Sequence, residues 1–164
     1  MSIQSSEKRT KTERLTQFLN DASNRLEQAI DNLQDTELNW RPSPSSNSIG
    51  NLLKHIAGAE TFWIHHVISG RETTRIRSTE FEVKEFHIAD LREELTVVKN
   101  TTTKLLTKLA DKDIDKTRTY WSQLANRQKK TTVHWAILHI IEHTAQHTGQ
   151  IFYIRKMYAD LKPQ

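Results

Sequence analysis

Three histidines, His139, His143 and His147, stand four residues apart in a stretch from Thr132 to Tyr158 that holds no proline and a single glycine. Ala136, Ile140, Ile151, Ile154 and Tyr158 recur through it at helical spacing, so it reads as one long amphipathic helix. At about 100° per residue the histidines climb one side of that helix. His143 and His147 fall at the centre of the apolar stripe, and His139 lies toward its edge. An imidazole aimed into a core must be hydrogen-bonded or must bind something, because an unsatisfied buried polar group is costly. One such histidine alone is better explained as satisfied packing. Two of them four residues apart can grip a single ion from one helix face, and neutral imidazole is the commonest metal ligand. Metal binding is therefore the stronger explanation of the pair.

The same spacing excludes other chemistries. The His-Glu-x-x-His metalloprotease pattern needs a glutamate directly after the first histidine as general base; Thr144 stands there. Di-iron bundles use Glu-x-x-His motifs, and no histidine here follows a glutamate by three residues. The chain has no cysteine, which removes disulfides, zinc ribbons, iron–sulfur clusters and a protein thiol nucleophile. There is no glycine-rich phosphate loop and no nucleophile elbow.

Four elements must position these residues. Thr10-Lys11-Thr12-Glu13 has capping-box spacing and opens a first helix over Thr12–Leu33. The connection from Asp35 to Ser48 is rich in breakers, including Pro42 and Pro44, with Trp40 as a packing anchor. Asn47-Ser48 caps a second helix over Ile49–Ser69, closed by Gly70. His55 lies at the edge of its core face, and taken alone it reads as a half-exposed surface histidine. His65, His66 and His87 are expected at the surface. Arg71 to Phe86 is charged and without a stripe, hence a long connection. A third helix over His87–Ala110 carries apolar residues alternately three and four apart. Asp111 to Thr131 is expected to be a loop whose Tyr120 and Trp121 fold back on the body, and Thr131 or Thr132 caps the fourth helix, Thr132–Tyr158.

Four amphipathic helices predict an all-α fold, a four-helix bundle formed as a single domain over residues 1–164. The connection before the third helix, at ~3.3 Å per residue, can run the length of a bundle. Parallel second and third helices, in up-down-down-up order, are thus allowed. The fourth helix is then antiparallel to the second, and His55 can approach the level of His147.

Composition narrows the class. The 164 residues carry 24 basic and 20 acidic side chains, a net charge of +4, and the mean hydropathy is −0.70. The basic residues are dispersed, whereas a nucleic-acid binder concentrates them on one face. No nucleic-acid partner is expected. No apolar run approaches a membrane span, and Met1 to Lys8 lacks a signal-peptide core, so the expected location is the cytoplasm, away from membranes.

The segment from Asn47 to Gly58, Asn47-Ser48-Ile49-Gly50-Asn51-Leu52-Leu53-Lys54-His55-Ile56-Ala57-Gly58, resembles the second-helix signature of the DinB/YfiT-like superfamily. Leu138 to Ile151, with His139-Ile140-Ile141-Glu142-His143 and Gln146-His147-Thr148-Gly149-Gln150, resembles its fourth-helix signature, and Trp40-Arg41-Pro42 also fits. The resemblance spans nearly the whole chain. It implies an up-down-down-up four-helix bundle and a divalent metal, nickel or zinc first and manganese or iron as alternatives. It also implies that His55, His143 and His147 hold that metal with positions left open for water. His139 matches a histidine common among relatives that is not a usual ligand, and it is the substitute should His55 lie out of reach. Many relatives carry arginine where Thr148 stands, so a substrate bound by that arginine is not expected to carry over.

Relatives include transferases that use low-molecular-weight thiols and a thiol-dependent isomerase. The expected function is therefore metal-dependent transfer of a small-molecule thiol to an electrophile, or a related isomerisation. The alternative is a non-catalytic metal- or ligand-binding stress-response protein. With no cysteine in the chain, the thiol would be a cosubstrate. Glu60 and Gln150 are candidates to support the ligands, set against ordinary packing or surface roles, and no residue stands out as a general acid or base. A homodimer is expected through helix faces, on apolar residues such as Ile141 and Phe152 on the far side of the fourth helix.

Overall fold

The computed structural model describes residues 9–161; Met1 to Lys8, with the signal-peptide reading above, and residues 162–164 at the end of the expected domain lie outside them. Helix α1 spans Lys11–Ala29. The expected capping box opens it: the Glu13 N–H donates to Thr10 Oγ1 at 3.1 Å, and the Thr10 N–H donates to the Glu13 carboxylate at 2.8 Å. It stops short of Leu33 because Asn32 takes a left-handed φ of 54°, which a helix cannot continue. The breaker-rich connection holds a short helix, α2 (Asp35–Asn39), pinned by the fully buried Leu38. Helix α3 (Ile49–Glu60) starts on Ser48, whose hydroxyl accepts from the Asn51 N–H at 3.2 Å. It runs on as a π-helical stretch, Thr61–Ile68, and Gly70 closes it at φ 75°.

The charged connection contains a single turn of helix, α4 (Thr79–Glu82), and leads into α5 (Ile88–Leu106). Asp35 caps α5 from a distance, accepting from the Ile88 N–H at 2.8 Å. The stretch read as a second loop forms a hairpin instead, β1 (Thr117–Ser122) antiparallel to β2 (Arg127–Thr132), with Tyr120 opposite Lys129. Its second strand, Arg127-Gln128-Lys129-Lys130, has no apolar alternation to betray it. Helix α6 (Val133–Leu161) follows directly; Thr132 Oγ1 accepts from the Trp135 N–H at 3.1 Å.

Side-chain pairings give the direction of each helix. Lys54 meets Glu94 at 2.8 Å and His65 meets Thr102 at 3.0 Å, so α3 and α5 run parallel. His55 meets His143 while Trp63 meets Trp135, so α3 and α6 are antiparallel. Lys99 reaches Glu27 and Arg92 reaches the Ile30 carbonyl, so α5 opposes α1. The result is the up-down-down-up bundle, with a two-stranded hairpin added at its flank.

The core is two apolar clusters rather than one. Leu15, Leu19, Ile64, Val67, Ile137 and Ile140 belong to the first; Leu26, Ile30, Leu53, Ile56, Ile151 and Ile154 belong to the second. Between Ile140 and Ile151 the inward residues of α6 are polar, with Thr144 and Thr148 both buried. This polar level halfway along the bundle is where the histidines lie. No described helix is long and apolar enough to cross a membrane.

Candidate metal centre

His55 is buried at 6% exposure, not half-exposed as its edge position suggested. The covering group comes from α4. Glu80, itself 4% exposed, brings a carboxylate oxygen to 2.7 Å from His55 Nδ1, and Phe81 packs on the ring. The approach needs Gly58, since a Cβ there would collide with the Glu80 carboxylate. Asn51 holds the turn in place: its amide donates to the Glu80 and Val83 carbonyls, each at 3.0 Å. Arg41 braces Asn51 in turn, donating to its carbonyl oxygen at 2.7 Å. Much of the Asn47–Gly58 signature therefore serves to seat Glu80 behind His55.

Arg75 completes this group, and its Nη2 donates to the Glu80 carboxylate at 3.0 Å. Burial of Glu80 opposes ionisation, but the bonds from His55 and Arg75 outweigh it and hold the pKa below the ordinary carboxylate value. An ionised carboxylate only accepts, so His55 carries its proton on Nδ1 and leaves the Nε2 lone pair free. His147 is set in the same way. Its Nδ1 lies 2.7 Å from the Gln150 side-chain oxygen, which frees Nε2.

The freed nitrogens point at one place. His143 Nε2 lies 3.0 Å from His55 Nε2 and 3.2 Å from His147 Nε2. Two lone pairs thus face a nitrogen that can supply one hydrogen at most, so protons alone cannot satisfy the cluster. A divalent ion can: ligand nitrogens 2.0–2.1 Å from a tetrahedral ion lie ~3.3 Å apart. Among the described residues these three histidines are the one group placed to hold a metal, with candidate ligand atoms within 4.8 Å of one another. The rings are suited to it. Burial, then the neighbouring imidazoles and Arg75, push the His143 pKa down to about 3. Burial lowers that of His147 as well, against the opposing bond to Gln150. Both rings are neutral at pH 7, as a metal ligand must be.

His143 and His147 are half-buried; the centre of the inward face of α6 is occupied by Thr144 and Thr148. The stripe is offset from the histidines because threonine fills its central positions. The offset leaves the site at the rim of the bundle, open on one side to a cleft of about 350 Å³. Phe62, Trp63, Tyr120 and Trp135 line the cleft, together with Arg75, Arg77 and Lys129. His139 lines it too. Its ring stacks on Trp135 at a centroid distance of 4.8 Å and lies outside the three-nitrogen group.

Two further expectations are corrected. His65 is buried, with Nε2 3.0 Å from Thr102 Oγ1, because the π-helical winding after Glu60 turns later residues toward α5. Ile141 is half-buried against the first core cluster, whereas Phe152 and Leu138, 50% and 44% exposed, lie on the outer surface of α6. Gln150 meets His147 through its side-chain oxygen, the contact that the supporting reading of it requires. Glu80 and Arg75 were missed altogether. They sit in a segment without periodicity, and the sequence hint was indirect: the glycine at position 58, on the same side of the helix as His55.

The model of the mycothiol-S-transferase family matches residues 14–160. A search of curated proteins finds no match. Among solved structures, the chain is similar to YfiT from Bacillus subtilis, described as a probable metal-dependent hydrolase with an unusual four-helix bundle topology. The TM-score is 0.72 at 15% identity, covering 97% of this chain and 94% of that one. A conserved protein from Enterococcus faecalis follows at TM-score 0.69 and 15% identity, covering 93% and 99%. A DinB-like protein from Bacillus subtilis has TM-score 0.65 and 16% identity, covering 89% and 92%. These likenesses agree with the bundle fold. The family match takes in the three converging histidines, the Glu80 turn and the hairpin, and the chain belongs to the mycothiol-S-transferase family.

Proposed function

We propose that this protein is a divalent-metal-dependent enzyme that transfers a low-molecular-weight thiol to an electrophilic small molecule, with the metal held by His55, His143 and His147. The observation that carries this is the convergence of three Nε2 atoms at the edge of an aromatic cleft. A divalent ion held by these three imidazoles would keep its full charge and supply Lewis acidity, which would lower the pKa of a thiol from its usual value of about 8.5. The family suggests mycothiol as the thiol; the choice among nickel, zinc, manganese and iron is left to elemental analysis.

The chain's own residues do the positioning. Glu80 and Gln150 hold His55 and His147 in the tautomer that presents Nε2. Arg75 keeps the Glu80 carboxylate ionised and in place. The aromatic walls exclude water and hold the electrophile near the thiol, a large contribution in a bimolecular reaction. The thiol loses its proton to solvent, the sulfur lone pair forms the S–C bond, and the leaving group departs with the bonding electrons. The reaction needs a reduced thiol, as the cytoplasm maintains.

His143→Ala removes the central ligand and is expected to abolish both metal retention and turnover, while His139→Ala leaves metal content near normal. Metal content by elemental analysis and thiol consumption with a chloronitrobenzene electrophile check this. Turnover that survives complete chelation rules out the metal. Stable metal retention without any reaction of mycothiol, bacillithiol or glutathione favours the non-catalytic binding protein.

The proposal includes a homodimer through the outer surface of α6. Leu138 and Phe152 are exposed, and at fourteen residues apart they share one side of the helix. Light scattering at micromolar concentration is expected to give twice the chain mass, falling to the monomer value in Phe152→Glu.

A further inference from the structure

The cleft beside the histidines has a charge pattern that goes beyond metal binding. Its walls are aromatic, its mouth is cationic, and none of the described residues lining it is acidic. Arg75 is committed to Glu80. Arg77 and Lys129, by contrast, take part in no ion pair among the described residues. Lys129 is the cross-strand partner of Tyr120, so the two share one face of the hairpin. The aromatic wall is built across elements: Trp63 lies edge-on to both Tyr120 and Trp135, at centroid distances of 4.9 and 5.2 Å.

The cleft is also held together on purpose-built bonds. Gln123, at the hairpin turn, accepts from the Arg77 N–H at 3.1 Å and donates to the Arg75 carbonyl at 2.7 Å. This clasp fixes the segment carrying Arg77 to the hairpin carrying Tyr120 and Lys129. A volume of about 350 Å³ is near the lower end of the range for small-molecule pockets.

We propose that this cleft is the subsite for the second substrate, and that the substrate class is a flat aromatic molecule bearing an anionic group, its ring among Trp63, Tyr120 and Trp135 and its anion at Arg77 and Lys129. The assignment deepens the thiol-transfer reading and rests on it for the word substrate. The binding itself rests only on the cleft. Stacking on aromatic faces supplies affinity, and two unpaired cations at the mouth supply the preference for an anion.

The test uses two probes of similar shape, 4-nitrobenzenesulfonate and uncharged nitrobenzene, both followed by quenching of tryptophan fluorescence. Titrations are run on chelator-treated protein and on zinc-loaded protein. The sulfonate is expected to bind about tenfold more tightly than nitrobenzene in both forms. Arg77→Gln/Lys129→Gln, which alters only side chains at the cleft mouth, is expected to cost about tenfold for the sulfonate and to leave nitrobenzene unchanged. Trp135→Ala weakens both probes. Equal affinity for the two probes, or a sulfonate affinity untouched by the double variant, overturns the subsite. So does sulfonate binding that needs zinc. Failure of the protein to take up zinc on loading, with the anion preference preserved, leaves the subsite standing and sinks the metal-dependent reading alone.

Discussion

At the scale of single residues, the most informative side chain is one that touches no ligand position. Glu80 fixes the His55 proton on Nδ1 and is itself fixed by Arg75. A carboxylate behind a ligating histidine orients the ring and raises its basicity, and removal of such a group typically costs ~10–100-fold in metal affinity. Glu80→Gln keeps the shape but removes the charge. Its expected effect is a weaker zinc affinity of that order with the fold intact, measured by competition against a chromogenic chelator. Unchanged affinity would make Glu80 a packing residue only.

Among the elements, α4 and α3 form one working unit, since a single turn of helix delivers the carboxylate that α3 leaves room for. Gly58 is that room. In an exposed helix, Gly→Ala gains up to ~1 kcal/mol. Here the new Cβ meets the Glu80 carboxylate, and overpacking of this kind costs ~1–3 kcal/mol. The second effect is expected to win. Gly58→Ala should lower the urea midpoint despite its better helix propensity, and it should weaken metal binding by displacing Glu80. A midpoint that rises would mean that the turn shifts freely and does not hold the site.

For the whole molecule, the polar level between the two apolar clusters makes stability depend on pH. In the unfolded chain the histidines titrate near 6.5. In the folded chain His143 titrates at about 3, held down by burial and by its imidazole neighbours, and burial also lowers His147 and His139. Below pH 6.5 the unfolded chain takes up protons that the folded chain refuses. Stability is therefore full above that pH and falls as the pH drops, by about 1.4 kcal/mol per pH unit for His143 alone. Urea denaturation of chelated protein from about pH 7.5 to 4.5 is expected to show this decline, and His143→Ala should flatten part of it. A wild-type profile flat through that window would place His143 in contact with solvent.

The sequence alone determined the bundle and the pairing of His143 with His147, while His55 joined them only through the family resemblance. Long helices announce themselves through a repeating apolar period, as Leu15 to Leu26 does, and as Ala136 to Ile154 does on either side of its polar level. A His-x-x-x-His pair is likewise a local pattern: neighbours on one helix face meet whatever the rest of the chain does. Tertiary structure decided everything that depends on packing between segments remote in the chain. His55 is buried only because Glu80 and Phe81, some 25 residues away, fold over it. His65 turns inward only because the helix winds wider after Glu60. The cleft is closed on one side where Gln123 ties a polar hairpin to the Arg75–Arg77 segment. Neither segment has a period to read, since each takes its shape from the neighbour it meets rather than from its own succession of apolar residues.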